Sequence, residues 1–397
     1  MSREISEVAL REALEPYVRE GYAPGVVALV ASRDEVVVVT IGDATFGGAA
    51  PMRRDSIFRM ASMTKPVTAI AALMLVEDGK LALDEPVDRW LPELADRRVL
   101  RTPSSPLSDT VPARRAITVE DLLTFRLGFG LLFGGPEEFP ILAAIAERGL
   151  VGFGPPQPAV DYGPDEYMRR LGELPLMAQP GEQWLYTAGS NVLGVLVARA
   201  AGMPLGEIMR ERIFEPLGMA DTGFFAPPDI IGRLTAAYVS TPDGYRLSDA
   251  PPDSPYARAP AFPAGDAGLV STADDLLALS RLLLARGQAG GRRLLSEATV
   301  AAMTRDHLTA AQRAEGELVL TPGHGWGYGV SVALDRTPEG IPPGAFGWNG
   351  GFGTSWVMDP SSGATAILLT QRSFTSPEPP AVHKAFWRTV FASSGSA

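Results

Sequence analysis

Ser62 and Lys65 stand three residues apart in the stretch Ser62-Met63-Thr64-Lys65, at the start of an apolar run with helical spacing. A serine hydroxyl is a poor nucleophile at neutral pH unless a base sits beside it. In a helix, a lysine three residues on lies on the same face one turn later, so the two side chains can meet. Lysine can serve as that base when neutral; arginine cannot give up its proton. Of the 35 basic residues only Lys65, Lys80 and Lys384 are lysine, so the chain uses arginine wherever either cation would do, and Lys65 is an exception. Acyl transfer also needs a second proton-transfer group, an oxyanion hole and an acyl pocket. Two later stretches could supply them: Tyr186-Thr187-Ala188-Gly189-Ser190-Asn191, ahead of an apolar helix, and Gly347-Trp348-Asn349-Gly350-Gly351-Phe352-Gly353, ahead of a terminal strand. Glycines there would let the backbone approach a ligand closely.

Other nucleophile chemistries fit poorly. The chain has no cysteine, which removes thiol nucleophiles, disulfides and thiolate-bound metals. His307, His324 and His383 lack the pattern that would orient a serine–histidine pair, and Gly329-Val330-Ser331-Val332-Ala333 only approximates the Gly-x-Ser-x-Gly elbow. No His/Glu spacing suggests zinc, and no metal or cofactor is expected. A net charge of −11 argues against nucleic acid or an anionic membrane as partner. The polar start Met1–Glu7 lacks a signal-peptide pattern, and no apolar run is long enough to span a bilayer, so a cytoplasmic location is expected. Oligomeric state is not legible.

The elements that must carry these residues follow from periodicity. Residues 4–20 read as an amphipathic helix. Val26–Ala31 and Val36–Ile41 read as a hairpin around Ser32-Arg33-Asp34-Glu35. Val67, Ile70, Ala71, Met74 and Leu75 give a helix from Ser62 to Glu77, with Pro66 in its first turn and Gly79 after its end. Ser62 is thereby expected at a helix N-terminus, where exposed N–H groups favour negative charge. Thr118 should cap a further helix. Residues 127–160 mix glycine and phenylalanine on what reads as irregular backbone, a candidate apolar wall. Helices are expected near 165–174, 191–201, 204–219, 272–286 and 382–391, and strands at 327–334, 356–358 and 365–370.

Strands come first and last, with helices between. The two ends should form one antiparallel sheet flanked by helices, with an inserted helical region. The expected division is an α/β unit from 1–65 and 290–397 and a mainly helical unit from 66–289, with the site in the crevice between them.

At this point the chain resembles the serine β-lactamase and penicillin-binding-protein superfamily, and within it the family VIII carboxylesterases. The resemblance rests on Phe58–Pro66, Gly79-Lys80-Leu81, Leu83–Val87, Leu91-Pro92, Thr118–Thr124, Pro180-Gly181 with Trp184 and Tyr186, Phe214–Met219, and Gly268–Thr272 with Asp274-Asp275-Leu276. It implies the β-lactamase/transpeptidase-like fold, Ser62 as nucleophile, Lys65 as its partner and Tyr186 as the second proton-transfer group. It also implies the backbone N–H groups of Ser62 and Gly351 as oxyanion donors. Trp348, Asn349 and Gly350 would line the substrate pocket, together with Phe125, Phe129, Phe133 and Phe153. Two departures bear on substrate. β-Lactamases and peptidases of this type carry asparagine two residues after the tyrosine, here Ala188, and a cation at the third motif, here Trp348. Both changes favour an uncharged short-chain or apolar ester over a β-lactam. β-Lactamase, D-amino-acid amidase or peptidase and acyltransferase activities are the alternatives on the same fold, and a non-catalytic binding protein is the alternative outside it.

Overall fold

A computed structural model describes residues 6–32 and 35–391. Its centre is a seven-stranded antiparallel sheet, in the order His324–Trp326, Ser331–Ala333, Phe346–Gly350, Thr354–Asp359, Ala364–Leu369, Gly25–Ser32, Glu35–Gly42. The two chain ends thus meet in one sheet, with Gly25–Ser32 pairing directly to Ala364–Leu369. β-Branched and aliphatic residues fill the central strands, which are buried on both faces and so read as continuous apolar runs.

Different layers cover the two faces. Leu10, Leu14, Val382, Phe386 and Val390, from the helices Glu7–Arg19 and Ala381–Phe391, pack on Val26, Ala28, Val30, Ala366 and Leu368. Val27, Leu29, Ile367 and Leu369 point the other way, into a larger core with the helices Thr64–Glu77 and Ala273–Leu284. Two neighbouring residues mark the alternation. Trp387 Nε1 on the outer helix donates to Ser355 Oγ at 3.1 Å, while Trp356 Nε1 donates to Ser280 Oγ at 2.7 Å in the inner layer. Both of these buried indole N–H groups are thereby satisfied.

Several sequence expectations need correction. The helix expected from Ser62 does not start there. The α-helix spans Thr64–Glu77, and Ala61–Met63 form a 3₁₀ turn before it. Pro66 has no N–H to close an α-type bond onto Ser62, so the chain enters by a tighter turn in which Thr64 N–H bonds to Ala61. Residues 127–160 hold a helix, Pro140–Glu147, started by Pro140 and anchored by Ile141, Ala144 and Ile145. The helix expected from Asn191 begins at Ala188 and runs to Ala201. The run 327–334 is a turn and one strand rather than a single strand: Gly327 N–H bonds to Val330 O, closing a hairpin between His324–Trp326 and Ser331–Ala333. The stretch 347–353 leads into the strand Thr354–Asp359 as expected, but its Trp348-Asn349-Gly350 also closes a strand that was not expected, Phe346–Gly350. Two short helices were unread, Glu297–Met303 capped by Ser296 and Ala310–Glu315 with a Thr309/Gln312 capping box. Residues 4 and 5 of the first expected helix and the tip Arg33-Asp34 of the first hairpin lie outside the described residues. No single helix among the described residues is long and apolar enough to cross a membrane.

Candidate active site

Lys65 points along its helix to Ser62, with Nζ 3.0 Å from Oγ. The lysine is 1 % exposed, whereas Ser62 keeps partial access to solvent. A second bond runs from Nζ to the backbone carbonyl of Asp266 at 2.8 Å. The ammonium position also lies 4.7 Å from the centre of the Tyr186 ring. Three contacts from three chain regions therefore fix one nitrogen. The same helix is stitched to the 265–269 segment twice more: Thr68 Oγ1 donates to Gly265 O at 2.7 Å, and Leu269 N–H donates to Thr64 Oγ1 at 3.1 Å. Gly329, at the tip of the edge hairpin, packs its Cα on this helix; a Cβ there would fall 2.7 Å from Ala69 Cβ.

Tyr186 projects between aromatic rings. Phe125, Trp184 and Trp348 have ring centres 5.7, 5.7 and 5.6 Å away, and Trp326 stands edge-on at 6.4 Å. Its hydroxyl oxygen accepts a 2.7 Å hydrogen bond from Trp348 Nε1. The residue after it, Thr187, has φ +85°, and Ala61, before the nucleophile, has φ +44°. Positive φ in residues with a Cβ costs of order 1–3 kcal/mol and persists only where surroundings enforce it. Here it aims both neighbouring side chains at the same space.

The strand Phe346–Gly350 ends against the Ser62 turn. A Cβ on Gly350 would lie 2.2 Å from Met60 O, so only glycine permits this approach. Thr354 Oγ1 also bonds to Met60 O, at 3.3 Å. Gly351 follows in a tight turn, closed by Gly353 N–H to Gly350 O, and its own carbonyl accepts from Phe374 N–H at 2.8 Å.

The remaining pocket candidates separate. Phe125, with φ +58°, is buried in the aromatic cluster behind Tyr186. Phe129 is buried and meets the half-buried Phe153 edge-on at 5.7 Å. Phe133 is 46 % exposed and lines a cleft with Leu131, Leu132, Leu318 and Val319 that also reaches Tyr186. Asn349 does not join Trp348. It pairs with Ser355, whose hydroxyl belongs to the face covered by Trp387, so strand alternation turns it away from Tyr186. The three histidines stay apart from Ser62. His307 stacks on Tyr328 at 4.1 Å, His383 is fully buried near Phe374 and Trp387, and His324 lies on the edge strand.

Asp266, which the sequence did not single out, completes the network. Asp266 is 4 % exposed. Its carboxylate accepts from Thr187 Oγ1 at 2.9 Å, and its N–H donates to Asn191 Oδ1 at 3.1 Å. Gly152 lies over this group, where a Cβ would meet Asn191 Nδ2 at 2.6 Å. The only local signal was an acid between small residues, Gly265-Asp266-Ala267-Gly268, with no spacing relation to Lys65 or Tyr186.

Comparison with known proteins adds three findings. A family model described as Beta-lactamase matches residues 10–385. Among curated proteins, Protein Rv1367c of Mycobacterium tuberculosis is 38 % identical over 381 residues, covering 94 % of this chain and 90 % of that protein. Esterase EstB of Burkholderia gladioli is 33 % identical over 375 residues, covering 90 % and 88 %. Among solved structures, that of EstCE1, described as a hydrolase with promiscuous acyltransferase activity, superposes with TM-score 0.81 at 27 % identity, covering 97 % of this chain and 98 % of that one.

Proposed function

Since the chain belongs to the Beta-lactamase family, we propose that it is a serine hydrolase that cleaves short-chain or apolar carboxylic esters through an acyl-enzyme on Ser62. The observation that carries the reading is Lys65 Nζ at 3.0 Å from Ser62 Oγ, in a chain that also bonds the Tyr186 hydroxyl to Trp348. In acylation the Lys65/Tyr186 pair takes the Ser62 proton as Oγ bonds to the ester carbonyl carbon. The N–H groups of Ser62 and Gly351 receive the oxyanion. The carbon–oxygen bond to the alcohol then breaks, and the pair returns a proton to the leaving oxygen. In deacylation water attacks the acyl carbon with the same pair as base, and Ser62 recovers its proton. The Trp348 N–H, aimed at the phenolic oxygen, stabilises negative charge that develops there during either transfer.

Two features favour esters over β-lactams. Trp348 stands where a cation would hold a substrate carboxylate, and its one donor is engaged by Tyr186. Ala188 is buried and offers no amide to the acyl side. The resemblance of the chain to Esterase EstB supports the same reading. The test is the ratio of kcat/KM for p-nitrophenyl butyrate to that for nitrocefin; the expected ratio is above about 100, and a ratio below one would overturn the ester assignment.

A second reading uses the same intermediate. An alcohol in place of water would take the acyl group, as the activity named for EstCE1 suggests. The product ratio in the presence of an added alcohol measures it directly.

A further inference from the structure

Asp266 bonds to one member of the proton-transfer pair, Lys65, and to Thr187, the residue that follows the other, Tyr186. Its backbone carbonyl accepts from Lys65 Nζ at 2.8 Å, and its carboxylate accepts from Thr187 Oγ1 at 2.9 Å. Thr187 directly follows Tyr186 and holds φ +85°, ψ −55°, a conformation a β-branched residue adopts only under constraint. The helix Ala188–Ala201 starts at the next residue, and no side-chain cap bond at Thr187 holds that start. The hydroxyl bond to Asp266 is therefore the side-chain link that pins the strained turn. Asp266 is itself held by Asn191 from within the same helix, through N–H to Oδ1 at 3.1 Å. The whole group is buried: Asn191 0 %, Asp266 4 % and Thr187 5 % exposed.

We propose that Asp266 is a positioning residue that sets the distance between Lys65 and Tyr186, its carbonyl fixing the amine and its carboxylate fixing the Tyr186–Thr187 turn. The inference rests on the assignment of Lys65 and Tyr186 as the proton-transfer pair. A single residue, through its carbonyl and its carboxylate, then registers two groups that come from different elements. Ala188 offers no side-chain hydrogen bond beside the tyrosine, so the Asp266–Thr187 bond is the polar side-chain tie on that side of the turn.

The test removes the hydroxyl without changing shape. Thr187→Val keeps the β-branch, and Thr187→Ser restores the hydroxyl. A hydrogen bond to a charged group supports an expected fall in kcat of about 10- to 100-fold for Thr187→Val. KM should change less than about twofold, because Thr187 is only 5 % exposed. Thr187→Ser should recover kcat to within about threefold. Asp266→Ala combined with Thr187→Val should cost no more than the worse single variant, since both break one bond. A Thr187→Val enzyme with unchanged kcat, or additive losses in the double variant, overturns the proposal. Active-site titration with a fluorophosphonate normalises each rate to folded enzyme, so a variant that folds poorly is still scored per site. Ser62→Ala, run in parallel, separates the two claims. Its loss of activity beside an unimpaired Thr187→Val leaves the catalytic assignment standing and removes only Asp266; its full activity removes both.

Discussion

At Lys65 a single nitrogen is held by a hydroxyl, a carbonyl and an aromatic face, so its role tolerates little substitution. Lys65→Arg keeps the cation and forbids the base. We expect kcat/KM for a chromogenic ester to fall by at least about 1,000-fold, with the melting temperature near that of the parent. Retention of a tenth of the activity would show that Lys65 acts only as a charge. Trp348 makes a finer test. Trp348→Phe keeps the ring and deletes the N–H that bonds to Tyr186, and steady-state kinetics should show kcat lowered by about 3- to 30-fold. An unchanged kcat would reduce Trp348 to a wall. Helix period put Ser62 and Lys65 together in the sequence, and the family resemblance pointed to Tyr186; the structure brings the three side chains together. The sequence could not place Asp266, whose bonds to Lys65 and Thr187 span 201 and 79 residues. Asn349 was legible in principle: once Trp348-Asn349-Gly350 is read as strand, alternation alone sends Asn349 to the opposite face.

Among elements, the strand Phe346–Gly350 and the turn Ala61–Met63 depend on each other at the nucleophile. Gly350 makes their contact possible, and Met60 O is the atom it spares. Gly350→Ala should drive the strand end away and move the Gly351 amide from the reacting carbonyl. Loss of one oxyanion donor costs about 100- to 1,000-fold in kcat, which kinetics on the purified variant would register. Near-normal kcat would mean that the Gly351 amide does not contribute. The sequence reading gave the long helices and central strands their right type because their apolar periods are strong. It missed the short helices Glu297–Met303 and Ala310–Glu315, whose evidence lies in caps rather than in period, and Pro140–Glu147, hidden among glycines and phenylalanines. The 3₁₀ entry at Ser62 follows from Pro66, a consequence of a missing donor that apolar spacing does not display.

For the molecule as a whole, both chain ends are needed to close the sheet, and the C-terminal helix carries a buried histidine into its outer layer. Burial pushes His383 down to about 3, so it folds neutral beside Phe374 and Trp387. Between its unfolded value near 6.5 and its folded value, the unfolded chain binds the extra proton. Stability from this residue is full above that range and is lost as pH falls through it, by an amount on the order of a few kcal/mol. Asp275 runs the other way. Burial raises its carboxyl to about 6, so its contribution is greatest below the unfolded value of 3.8 and is lost as pH rises through about 6. His383→Phe should therefore flatten the acid side of the stability profile, and melting temperatures from pH 7 down to pH 4 would show a smaller drop than in the parent. An equal drop would place acid sensitivity elsewhere.

The central claim is covalent: the acyl group of an ester passes through Ser62. Enzyme quenched during turnover of p-nitrophenyl butyrate, digested and mapped by mass spectrometry, tests it most directly. The account predicts a butyryl group on the peptide containing Ser62, and a Ser62→Ala protein that is neither acylated nor active. An acyl group on another residue, or turnover by Ser62→Ala at the parent rate, would contradict it.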